Sequence, residues 1–140
     1  MYELFEHEAD VGIRGIGKTL EKAFEEAAKA LFSVEVDIKK VKARKTVKVS
    51  CEAENIEELF VEWLNALLAK ASITDMVFSQ FNVKIEKKKD GFKLEGTAKG
   101  EKINPRKHGT KDEVKGATYA ELKVYQDKKK RWIAQCIVDV

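Results

Sequence analysis

Several residue types are scarce in this chain of 140 residues, and each scarcity removes a class of function. It has two cysteines, Cys51 and Cys136, in separate strand-like runs with no CxxC spacing. Too few thiolates and imidazoles lie close together to build a zinc site. The two thiols read as small buried hydrophobes of a reducing compartment, with a disulfide as the alternative. Neither run offers the exposed, electropositive setting that a catalytic cysteine needs. The two histidines, His7 and His108, are 101 positions apart, and neither lies in a nucleophile motif, so no hydrolytic triad can be assembled. No apolar run approaches the ~18 residues of a membrane span, and no basic-then-apolar leader precedes Tyr2, so a cytoplasmic protein without a membrane partner is expected. Charge of one sign is not in excess either. Lys and Arg number 27 against 24 Asp and Glu, and the resulting +3 is too balanced to announce a nucleic-acid binder.

What is present is globular: 44% hydrophobic and 36% charged residues, in a chain long enough to bury a core. A surface rich in lysine and glutamate also suits a heat-adapted protein. Tyr2 to His7 and Val11 to Gly17 read as two short strands. The glycines Gly12, Gly15 and Gly17 are in the wrong order for a phosphate-binding fingerprint, and close backbone approach or bulges explain them better. Thr19 caps a first helix whose apolar face is Leu20, Ala23, Phe24, Ala27, Leu31 and Val34, which leaves Lys22, Glu25, Glu26 and Lys29 toward water. Lys39 to Lys48 alternates basic with apolar or small residues and leads into a strand at Val49 to Cys51. Its lysines read as edge protection, with nucleic-acid contact by Lys40, Lys42 and Arg44 as the rival. Asn55 and Glu58 open a second helix with a heavier stripe, including Trp63, which reads as a core anchor rather than a stacking platform.

Val77 to Glu86 and Phe92 to Gly96 are predicted to form a hairpin about Asp90-Gly91, where a type I′ turn needs positive φ at both centres. Gly100 to Asp112, containing the only proline (Pro105), reads as a long loop. A strand from Val114 to Tyr125, a turn over Asp127 to Lys130 and a last strand from Trp132 to Val138 follow. The order β-β-α-β-α and then four strands predicts an α+β sandwich: one domain over residues 1–140, with two helices on a mainly antiparallel sheet.

The chemistry concentrates at the two ends. Glu6-His7-Glu8-Ala9-Asp10 packs three carboxylates and a histidine into five positions, and the last strand finishes on Asp139 and Val140. Like charges ~4 Å apart repel by roughly 4 kcal/mol at an effective dielectric of about 20, so Asp10, Asp139 and the Val140 carboxylate call for a cation. Their hard oxygens, with Glu8 as a further donor, suit calcium or magnesium better than zinc. An ion-pair cluster answered by Lys115 or Arg14 is the other reading. The basic loop of Lys102, Arg106, Lys107, His108 and Lys111 could grip a phosphate or an acidic partner, or simply be solvated.

Taken in order, these segments carry a resemblance. His7-Glu8-Ala9-Asp10-Val11-Gly12 resembles the N-terminal signature of the archease family, and Leu59 to Leu68 is similar to its Leu-x-x-x-Trp-Leu-Asn-x-Leu-Leu run. Lys107-His108, Lys115-Gly116-Ala117-Thr118-Tyr119 and the Ile137-Val138-Asp139-Val140 ending match further segments. The resemblance implies a small non-catalytic activator of an RtcB-type tRNA-splicing RNA ligase, which promotes guanylylation and repeated turnover of the ligase. It also implies a link, for some members, to a tRNA methyltransferase as a chaperone-like modulator. A divalent cation, calcium or else magnesium, would be held by Asp10, Asp139 and Val140. His7, Glu8, Lys107, His108 and Lys115 would line the partner-facing surface, with tRNA reached indirectly through the ligase. Glu8 stands where the family usually has threonine, which leaves open whether it joins the cation. A stand-alone tRNA-binding module is the alternative from another class.

Overall fold

The computed structural model describes residues 1–140. Alternating side chains form β1 (Tyr2–His7) and β2 (Asp10–Gly17), joined by a two-residue turn. The chain then reverses into α1 (Leu20–Glu35), where the Thr19 hydroxyl accepts from Lys22 N–H at the first turn. A single 3-10 turn (Ile38–Lys40) leads to β3 (Lys45–Ala53). Next comes α2 (Ile56–Thr74), capped by the Asn55 side chain, which accepts from Glu58 N–H. β4 (Met76–Lys88) and β5 (Gly91–Lys102) form the long hairpin, followed by a single helical turn α3 (Pro105–His108). β6 (Gly116–Ala117), β7 (Lys123–Gln126) and β8 (Trp132–Asp139) close the chain.

All strand pairs are antiparallel, and they form two sheets where the sequence predicts one. The first runs β1-β2-β8-β6 with β7 also on β8; the second is β3-β5-β4. The α+β class holds, with α1 and α2 each touching both sheets. This position explains why Glu25 is buried instead of facing water: it lies on the side of α1 that meets β4, and its carboxylate accepts from Val83 N–H at 2.9 Å. Gly15 shows how tightly the other side packs. A Cβ there would come within 2.1 Å of the Ala23 carbonyl oxygen on α1.

Three further expectations are corrected. The hairpin tip is Lys89-Asp90, one residue earlier than predicted, because Gly91 pairs with Lys88. Gly91 is needed there for its φ of 149° and because a Cβ would lie 2.4 Å from the Ala53 carbonyl oxygen. The predicted strand from Val114 to Tyr125 is split into β6 and β7 by the turns between them, so five strands follow α2 rather than four. The predicted loop from Gly100 to Asp112 is partly ordered, as the end of β5 and as α3.

Candidate functional site

The turn that closes β1 on β2 is strained. Its residues are Glu8 and Ala9, and Glu8 sits at φ 53°, a left-handed conformation that costs a residue with a side chain roughly 1–2 kcal/mol. His7 and Asp10 face each other across the ladder just inside it. Val11 pairs with Val138, and carrying that register one residue on sets Asp10 across from Asp139, which pairs on its far side with Gly116. Opposed residues share a face and successive residues alternate faces. His7, Asp10 and Asp139 therefore form one row on one face of the sheet, and its fourth place, at Gly116, has no side chain. The missing Cβ of Gly15 points at α1, so Asp10, at alternate parity on β2, points away from the helix. Val140, half-buried, follows Asp139 directly.

No cation of the chain answers this row. Neither Asp10 nor Asp139 belongs to any of its salt bridges. Arg14 is taken by Glu3 and by the Gln135 side chain, each at 2.9 Å, and its guanidinium lies 4.6 Å from the Phe5 ring centre. Lys115 is exposed and reaches the row through its backbone, its N–H donating to the Asp139 carbonyl at 2.7 Å. His7 Nδ1 is buried and has no hydrogen-bond partner in the protein, alone among buried side-chain nitrogens and oxygens. No three His, Cys, Asp or Glu side chains converge as a metal cage. The donors available are instead two side-chain carboxylates and the terminal carboxylate of Val140. By chemical type, carboxylate oxygens of this kind would suit a hard divalent ion rather than zinc.

The Archease protein family model (MTH1598/TM1083) matches residues 2–140. The chain belongs to the archease family. It is 45% identical to the archease of Pyrococcus abyssi and 43% identical to that of Pyrococcus furiosus, in both cases over 99% of this chain and 98% of the relative. The solution structure of Methanobacterium thermoautotrophicum protein 1598 superposes with a TM-score of 0.86 at 37% identity, covering 99% of this chain and 98% of that one.

Two residues that the archease resemblance assigns to the partner-facing surface, Lys107 and His108, both bind Glu101. His108 is fully buried, because α3 folds it under the end of β5. Its Nδ1 accepts from Asn104 N–H at 2.9 Å, so the ring proton is on Nε2, which donates to Glu101 Oε2 at 3.0 Å. Lys107 is bound to the same oxygen at 2.6 Å, and Lys42 N–H reaches it at 2.8 Å. Arg44 holds the other oxygen at 3.2 Å. The Lys107 ammonium, the Lys42 N–H and His108 together hold the Glu101 carboxyl well below the usual carboxylate range. Two of the loop's five basic residues, Lys107 and His108, thus join Lys42 and Arg44 in an internal clamp on one acid. Glu101 escapes a reading of the sequence because its only mark there is to be an acid among Lys99, Lys102, Arg106 and Lys107. A better signal exists for α3: Asn104, Pro105 and Gly109 stand at cap, first-turn and C′ positions. Both cysteines are free, and burial pushes each thiol up to about 12. No helix is long and apolar enough to cross a membrane.

Proposed function

We propose that this chain is a non-catalytic activator of an RtcB-type tRNA-splicing RNA ligase, promoting guanylylation of the ligase and its repeated turnover. Membership of the archease family supports this reading. The observation in the chain itself that carries it is the row of His7, Asp10 and Asp139, whose two carboxylates have no cationic partner. Asp10, Asp139 and the Val140 carboxylate would hold calcium, with magnesium as the competitor, and the ion would offset their repulsion and add positive charge to the open face of the sheet. His7, Glu8 at the strained tip and exposed Lys115 frame the surface offered to the ligase; tRNA is engaged only through the ligase. Burial raises both free thiols, a setting opposite to the exposed, electropositive one that activates a catalytic cysteine.

The test is a ligase guanylylation assay with trace amounts of this protein, before and after a chelator wash and calcium or magnesium return. Asp10→Ala and Asp139→Ala each reduce the rate to that of ligase alone while leaving the circular dichroism spectrum and Tm close to wild type. Stimulation by either variant at the wild-type level sinks the proposal.

A further inference from the structure

A second surface lies on the other side of the segment that leads into Lys115. The C-terminal part of α2, the start of β4 and residues 110–114 enclose an open cleft of about 300 Å³. Its floor is Leu68, Ala71, Met76, Val77, Ile103 and Val114. Hydrogen bonds fix the wall: Lys111 N–H donates to the Glu35 carbonyl at 2.8 Å, and Val114 N–H to the Glu35 carboxylate at 3.0 Å. One of the chain's exposed large apolar side chains stands in this cleft, Ile103 at 42% exposure.

The charge around this apolar floor selects the occupant. Glu35, Asp75, Asp112 and Glu113 line the cleft against a single lysine, Lys111, and none of the four acids is in a salt bridge. This is local negative charge on a chain of net charge +3. Burial, reinforced by Glu113, raises the Glu35 carboxyl above its ordinary value even though Val114 N–H draws it down, so an arriving cation would favour its ionised form. Arginine and lysine match such a place: the aliphatic stem lies on apolar surface and the charged head meets carboxylates.

We infer that this cleft is a docking site for a lysine- or arginine-bearing apolar segment of a partner protein. The inference rests on the activator reading above, which makes that partner the ligase. Val114 in the cleft wall and Lys115 at the Asp139 row are consecutive residues, so one partner surface can span both places.

The experiment measures affinity and stimulation separately, by titration calorimetry against purified ligase and by the guanylylation assay. Two variants alter the cleft at exposed positions that carry little of the fold: Asp112→Lys with Glu113→Lys, and Ile103→Asp. Each is expected to weaken ligase binding by about tenfold or more with an unchanged circular dichroism spectrum. Wild-type binding should weaken with added salt, and the lysine variant should lose most of that dependence. Asp139→Ala leaves the cleft whole and should abolish stimulation, which marks the row as the place that activates and the cleft as the place that docks. Wild-type affinity in both cleft variants overturns the docking site and leaves the activator reading standing. Failure of the wild-type protein to bind or stimulate the ligase overturns both.

Discussion

Replacing Trp63 with alanine is expected to lower stability by about 3–5 kcal/mol, among the largest effects of any single substitution in this chain. Trp63 is fully buried on α2, between the helix layer and the three-stranded sheet. Its indole N–H donates to the Phe24 carbonyl of α1 at 3.1 Å, and its ring meets Phe81 edge-on with centres 6.3 Å apart. Truncation opens a large cavity and removes a cross-helix hydrogen bond to a carbonyl that keeps its own intrahelical partner, so the cavity dominates the cost. For a chain of this length the corresponding fall in Tm is roughly 10–20 °C. Thermal unfolding followed by circular dichroism checks this, and a loss below about 1 kcal/mol would show that the site collapses to fill the void. Trp63→Phe, which keeps most of the volume but not the N–H, should fall between the two.

The second large effect is a pH dependence centred on Glu101. Its folded carboxyl is held below the ordinary value by the Lys107 ammonium, the Lys42 N–H and His108, whereas in the unfolded chain it titrates near ~4.3. A depressed folded value means that the stabilisation is fully present above the unfolded pKa and is lost as pH falls through that value toward the folded one. Stability should therefore drop as the solution is acidified below about pH 5. Asp127, drawn down first by the Arg131 N–H, contributes with the same sign, and Glu35, raised by burial, opposes them. Glu101→Gln is expected to unfold at markedly lower temperature than wild type at pH 7, because buried His108, Lys107 and Arg44 lose the anion they share. The gap between the two proteins should close as pH falls. Melting temperatures at four or five pH values test this, and parallel curves would remove Glu101 from the account.

Parts of this architecture are legible in the residues alone. β1, β2, α1 and α2 follow from simple periodicities and capping residues, and β8 from its unbroken apolar run, which matches burial along nearly its whole length. Glu25 shows where that reading stops. A helical wheel places it with Glu26 and Lys29, but α1 is covered on two sides, and only tertiary structure supplies the Val83 N–H that makes a buried carboxylate tolerable there. The predicted strand from Val114 to Tyr125 fails for a related reason, since its apolar alternation is compatible with pairing but does not say how far the pairing runs.

At the candidate site, the acids at the two strand ends stood out in the residues alone because like charges demand an explanation. The row itself did not, because it depends on β2 and β8 being neighbours in register. His108 misled for a different reason. In sequence it belongs to a basic loop, and its burial comes from one helical turn set by Asn104 and Pro105.

The β2–β8 pairing also orders events in time. It joins residues more than a hundred positions apart, so the entropy of closing nearly the whole chain must be met before any of its contacts count. The β4–β5 hairpin and its neighbouring helix can form through local encounters, and the sheet that bears the acidic row is completed afterwards. A nascent polypeptide whose β8 is still inside the ribosome therefore lacks the acidic row altogether.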